Sequence, residues 1–132
     1  PYLFSYFKGE EWRTQKETQR LLDKYFTTKP NGIPGNDDTG TMSAWAIFNM
    51  IGFYPDCPGL PEYTLTTPVF NKVTIRLDPK WYKEKELVIE SNRTQPGTLY
   101  INKVLLNGKK FNQYRITHDE LVHSQRILFD LK

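Results

Sequence analysis

Thr41-Met42-Ser43-Ala44-Trp45-Ala46-Ile47-Phe48-Asn49-Met50-Ile51 carries apolar side chains on nearly every side, and Pro55, Pro58, Gly59 and Pro61 follow it. A helix of this composition needs neighbours on more than one face. Upstream, residues 12–26 place Thr18, Leu21, Leu22, Tyr25 and Phe26 at the i, i+3, i+4, i+7, i+8 spacing of an amphipathic helix, with Lys16, Glu17, Gln19, Arg20, Asp23 and Lys24 on the other side. One such partner cannot cover the second helix. Asn31-Gly32 and Pro34-Gly35 impose turns between the two.

Downstream of the proline-rich junction the signal becomes short alternating runs, at residues 63–66, 72–77, 86–90, 99–106, 113–116 and 127–131. Turn formers separate them: Asp78-Pro79, Pro96-Gly97 and Asn107-Gly108. The expected architecture is therefore α+β, with a helical segment over residues 1–55 and an antiparallel sheet or sandwich over residues 56–132. The apolar opening Pro1-Tyr2-Leu3-Phe4-Ser5-Tyr6-Phe7 is unlike a soluble terminus, so the chain reads as part of something larger whose further helices cover the second helix.

Composition limits the function classes. A charged fraction of 25% with 14% aromatics describes a chain that folds and is not disordered. The net charge of +3 is spread among interleaved acids, as in Lys83-Glu84-Lys85-Glu86, and no basic stripe suggests a nucleic-acid partner. No apolar run has the roughly 20 residues needed to span a bilayer. The single Cys57 has no internal disulfide partner, and no base or cation adjoins it to activate a nucleophile.

The candidate chemistry lies just before the second helix, in Gly35-Asn36-Asp37-Asp38-Thr39-Gly40. Glycines at both ends permit backbone angles closed to other residues. Adjacent carboxylates repel and diverge, so at most one of Asp37 and Asp38 faces a given site. The competing structural reading is that one of them, or Thr39 or Thr41, caps the helix. An EF-hand calcium loop fails on spacing, because counting from Asn36 puts Thr41 and Ile47 where Gly and Glu are required. His118 and His123, read as extended, fall on opposite faces and share no metal. Trp12, Trp45, Phe53 and Tyr54 have rings able to stack on a sugar, though core packing is the commoner fate.

Three blocks, PYLFSYFKGEEWRTQKETQRLL from Pro1, NGIPGNDDTGTMSAWAIFNMIGFYPDCPG from Asn31 and PEYTLTTPVFNKVTIRL from Pro61, resemble the C-terminal part of glycoside hydrolase family 92, the α-mannosidases. LYINKVLLNGKKF and ITHDEL match its closing strands more loosely. The resemblance implies that the helices come from an (α/α)6 toroid catalytic domain and that the intact protein is a calcium-dependent, inverting exo-α-mannosidase acting on mannose-containing glycans. It implies a periplasmic, cell-surface or secreted, bacterial protein. Asp38 matches the catalytic base, with Asp37 as the fallback. Asn36 stands where some members carry a further acid, and is left to orient the water. The general acid and most calcium ligands are expected upstream, in the remaining N-terminal part of the polypeptide, so no metal ligand is assigned here and residues 1–132 alone are expected to be inactive. The alternative is a non-catalytic carbohydrate-binding or structural β-sandwich module whose acidic loop is only a cap.

Overall fold

A computed structural model describes residues 1–132. A 3-10 turn at Tyr2–Tyr6 leads into α1 (Glu11–Tyr25), and a second short 3-10 turn, Asp38–Gly40, leads directly into α2 (Thr41–Ile51). The buried face of α1 is more polar than its hydrophobic spacing suggests: Thr14, Gln15, Thr18 and Leu22 are buried, whereas Tyr25 is 41% exposed. Hydrogen bonding explains the difference, because buried polar groups must find partners. Thr18 donates to the carbonyls of Thr14 and Gln15, and Gln15 Oε1 accepts the Ile101 N–H at 2.9 Å, tying α1 to a strand 86 residues away.

In α2 only Ala46 and Asn49 are buried. One side packs its aromatics on neighbours, with Trp45 stacked on Phe26 at 5.3 Å and Phe48 edge-on to Phe53 at 5.7 Å. Ala44 and Ile47, 57% exposed, face away from the chain. Asn49, fully buried, accepts from and donates to the Tyr2 hydroxyl and donates to the Trp45 carbonyl, while Tyr2 stacks on Tyr54 at 4.8 Å. The N-terminal turn is thereby pinned to the end of α2.

Gly52 ends that helix at φ 119°, its N–H returning to the Phe48 carbonyl. A Cβ there would sit 2.9 Å from Pro68 Cγ. Gly52→Ala combines an unfavourable left-handed φ with that contact and is expected to cost about 1 kcal/mol or more. The check is a lowered melting temperature for the variant; an unchanged one would contradict the role given to this position.

Strands β1 (Phe53–Tyr54), β2 (Glu62–Leu65) and β7 (Arg115–Thr117) form a small antiparallel sheet in the order β1-β2-β7. The larger sheet runs β3-β4-β8-β5-β6, from β3 (Lys72–Arg76), β4 (Glu86–Arg93), β5 (Ile101–Leu106), β6 (Lys109–Phe111) and β8 (Arg126–Leu131). This sheet is mixed, not antiparallel as expected, because β4 and β8 are parallel, Val88 opposite Arg126 through Arg93 opposite Leu131. Alternation specifies which face is buried but says nothing of strand direction. Asn107 and Gly108, at φ 50° and 79°, make the two-residue hairpin between β5 and β6.

Phe53, Leu65 and Ile116 of the small sheet join Leu87, Ile89, Ile101, Val104, Ile127, Phe129 and Leu131 of the large one, with Leu121, in one apolar cluster. Full burial of such side chains contributes roughly 1.5–3 kcal/mol each, whereas solvent screens ion pairs on the surface such as Arg126–Glu90. The core therefore dominates the ion pairs on its rim.

His118 and His123 lie not on a strand but at α3 (His118–Val122) and its C-terminal end. Thr117 and Glu120 form a reciprocal capping box that starts this short helix. His118 Nδ1 pairs with the Tyr63 hydroxyl at 2.9 Å and His123 Nδ1 with the Asp119 carbonyl at 2.9 Å, so the two rings serve separate contacts.

Candidate active site

The acidic loop joins α1 to α2, and two consecutive left-handed residues shape its end. Thr39 has φ 54° and ψ 24°, and Gly40 has φ 76°. Glycine adopts this conformation freely, but a β-branched residue does so at a cost of about 1–3 kcal/mol. The loop's own hydrogen bonds hold it there. The hydroxyls of Thr39 and Thr41 both donate to the Asp38 carbonyl at 2.7 Å, and the Gly40 N–H donates to the Asp37 carbonyl at 2.9 Å.

Within this frame the adjacent aspartates separate. Asp37 Oδ1 accepts the Ser43 N–H at 2.9 Å and Oδ2 accepts the Ser43 hydroxyl at 2.5 Å. Gly40, at the cap position, has no side chain to accept from the first-turn amides of α2, and Asp37 supplies the acceptor from three residues upstream. The Ser43 hydroxyl, followed by the Ser43 amide, holds the Asp37 carboxyl below the usual carboxylate range. Asp38 is exposed, its carbonyl is engaged as described, and its carboxylate takes part in no hydrogen bond or ion pair. Asn36, two residues before it in the loop, is exposed with no side-chain hydrogen bond.

The chemical consequence follows from basicity. A carboxylate whose ionised form already accepts two hydrogen bonds is a weaker base than one left free. Asp37 acts as the helix cap, and the Asp38 carboxylate is left without a hydrogen-bonding partner. Neither composition nor spacing separates the two neighbouring acids; the residue that separates their contacts is Ser43, six positions on from Asp37.

The lowered Asp37 value has a stability consequence with a defined sign. A carboxyl depressed in the folded state stabilises the fold fully above its unfolded value near about 3.9, and that contribution is lost as pH falls through the lower folded value. Melting temperatures of wild type and Asp37→Asn should therefore differ most at neutral pH and converge in strong acid. A difference that grows on acidification would contradict the cap.

Apolar surface flanks the loop. Leu21, Tyr25 and Phe26 of the first helical segment face Pro34, Met42 and Trp45 across a cleft of about 240 Å³. Of the four rings considered for sugar stacking, Trp45 borders this cleft but is stacked on Phe26, Phe53 is 4% exposed and Tyr54 is covered by Tyr2. Trp12, 41% exposed, lies under the side chains of Arg13 and Lys16 at the opposite end of α1. No three His, Cys, Asp or Glu side chains converge closely enough to hold a metal ion. With one loop carboxylate bound to Ser43, the residues present do not make up the six to eight oxygens of a calcium site.

Comparison with known proteins places this geometry among relatives. Residues 1–132 match the family model described as glycosyl hydrolase family 92 catalytic domain. An α-mannosidase of that family from Bacteroides thetaiotaomicron, solved in complex with mannoimidazole, superposes with a TM-score of 0.89 at 32% identity, covering 99% of this chain and 17% of its own. An inverting mannosidase of the same family from that organism gives 0.79 at 36% identity, over 92% of this chain and 16% of its own. An uncharacterized secreted glycosidase of Arthroderma benhamiae is 28% identical over 114 residues, which is 86% of this chain and 14% of the relative. The chain thus spans about a sixth of the length of these proteins.

Proposed function

Because the chain belongs to glycosyl hydrolase family 92, we propose that it is the C-terminal part of an inverting exo-α-mannosidase and that Asp38 is the catalytic base. The match of residues 1–132 to a catalytic-domain model carries the reading, and the unpartnered Asp38 carboxylate supports the assignment within it. The structurally similar proteins include a mannosidase described as inverting. The helices of residues 1–55 belong, in this proposal, to a larger helical toroid.

Inversion needs a carboxylic acid at the leaving oxygen and a carboxylate on the opposite face, roughly 6.5–9.5 Å away, with room for a water between. Asp38 accepts a proton from that water as its oxygen bonds to the anomeric carbon. The glycosidic C–O bond breaks, and the leaving oxygen takes its proton from an acid carried outside residues 1–132. An α-mannoside is released as β-mannose. Asn36 is assigned the orientation of the water, and Asp37 is left as the second candidate for the base.

Calcium dependence of the intact enzyme is part of the proposal, with its ligands drawn from elsewhere in the polypeptide. When bound, the ion would supply Lewis-acid and template chemistry. Export from the cytoplasm is also proposed, in keeping with a relative described as secreted, and no helix here is long and apolar enough to cross a membrane. The competing module reading requires the acidic loop to be only a cap, and Asp37 alone meets that requirement.

The test is mannose release from α-linked mannobiosides by the full-length protein, with calcium and with chelator, beside residues 1–132 alone. The proposal expects calcium-dependent turnover by the first and none by the second. A full-length protein inactive on every α-mannoside would favour the binding module.

A further inference from the structure

We infer that Ser43 is a positioning residue for the reaction, holding Asp37 so that the loop presents the Asp38 carboxylate at a fixed place; the inference rests on the function proposed above. Ser43 contacts no reacting atom in this account. Its backbone N–H and hydroxyl both end on Asp37, at 2.9 and 2.5 Å, and so join the start of α2 to the residue before the base. The chain between the two sides of this clamp runs through Asp38, Thr39, Gly40, Thr41 and Met42, of which Thr39 and Gly40 are left-handed.

The strain at Thr39 gives the clamp its work. A threonine at φ 54° relaxes toward ordinary backbone angles unless the surrounding contacts prevent it. The two threonine hydroxyls on the Asp38 carbonyl fix the turn locally. Thr41, the first residue of α2, holds the Asp38 carbonyl through its N–H and hydroxyl, and the Ser43–Asp37 pair adds a second tie, from the third residue of the helix to the residue before the base. Losing the pair leaves Asp37 without its tie to α2, so the loop is held on one side of Asp38 only and its carboxylate can shift. A displacement of about 1 Å at a reacting group costs on the order of 100-fold in rate.

The pair also distinguishes Ser43 from a general stabilising residue. Substrate binding does not use it, so the loss falls on kcat with KM retained. The experiment compares Ser43→Ala, Ser43→Thr and Asp37→Asn in the full-length protein, with kcat, KM and melting temperature measured for each. Ser43→Ala is expected to lower kcat by about 10- to 100-fold with KM within about twofold of wild type. Ser43→Thr retains the hydroxyl and is expected to recover most of the loss. Asp37→Asn retains an acceptor for the Ser43 amide and is expected to lose less than about tenfold, where loss of a base costs 100-fold or more; this variant decides the matter should Ser43→Ala fail to fold.

Full kcat in Ser43→Ala, or loss shared between kcat and KM without recovery in Ser43→Thr, overturns the positioning role while leaving the mannosidase reading intact. A loss of several orders of magnitude in Asp37→Asn overturns it by making Asp37 the base. A wild-type protein inactive on all α-mannosides overturns the functional reading first, and the positioning role with it.

Discussion

Asp38→Asn is expected to lower kcat of the full-length protein on α-mannosides by about 10²- to 10⁴-fold, the usual contribution of a general base. Asparagine has the shape of aspartate but cannot take a proton from water. The loop should survive the change, because the contacts that shape it use the Asp38 carbonyl and not its side chain. Folding and KM should therefore stay near wild type, and the loss should appear in kcat and kcat/KM together, as expected for an interaction made only in the transition state. Steady-state kinetics with a melting curve on the same preparation separate this from unfolding. Near-normal turnover in Asp38→Asn, with a large loss in Asp37→Asn, would transfer the role to Asp37.

The second large effect concerns the fold. Asp56 is 3% exposed at its side chain and accepts three hydrogen bonds, from Thr64 Oγ1 at 2.7 Å, Tyr6 OH at 2.9 Å and Arg115 at 2.8 Å. The Arg115 guanidinium also lies 3.9 Å from the centre of the Tyr6 ring and 3.6 Å from Glu62. One buried carboxylate thus joins the N-terminal turn, the segment after β1, β2 and β7. Because the pair is mostly buried, the scale for exposed ion pairs does not apply to it. Arg115→Ala leaves the Asp56 charge enclosed without its cation and is expected to cost about 3–5 kcal/mol. The readouts are a lower melting temperature and faster hydrogen exchange at amides of the small sheet, including Leu65, which donates to the Tyr114 carbonyl.

Adding Asp56→Asn to Arg115→Ala is expected to recover part of that loss, since removing both charges leaves none unpaired while Asn keeps an acceptor for Thr64 and Tyr6. Stability unchanged in Arg115→Ala would contradict this account of how the helical turn is held to the sheet. Sequence reading had no means of finding the pair. Asp56 and Arg115 are 59 positions apart and resemble the other charges along the chain.

The elements that were legible are those set by local signals. The second helix was read at residues 41–51, where a run of apolar helix formers ends at a glycine that can take φ 119°. The turn at Asn107-Gly108 follows from a dipeptide suited to two positive φ values, whereas the strand it leads into, Lys109–Phe111, has no run of its own in the alternation. Where the outcome depended on distant partners, the reading failed. The parallel pairing of β4 and β8 has no trace in alternation. Gln15 belongs to neither face in the periodicity of residues 12–26, and it is buried because its oxygen accepts the Ile101 N–H of β5. The helix at residues 118–122 was read as extended, although Thr117 and Glu120 carry a capping-box spacing that would have revealed it.

The candidate site divides the same way. A glycine-bounded acidic loop ahead of a helix was visible in the sequence, and so was the alternative that one acid caps that helix. The structure shows the cap, Asp37 bound to Ser43, and leaves the Asp38 carboxylate unbound. Pattern alone treats neighbouring aspartates as equivalent. The helix N-terminus distinguishes them, because its amides are satisfied by whichever carboxylate the left-handed turn directs back toward them.

The most direct measurement is the configuration of the first mannose released by the full-length protein from an aryl α-mannoside, followed by proton NMR before mutarotation, for wild type and Asp38→Asn. The account predicts β-mannose as the first product of the wild type and no comparable burst from the variant. α-Mannose as the first product, or equal β-mannose from both proteins, would contradict it.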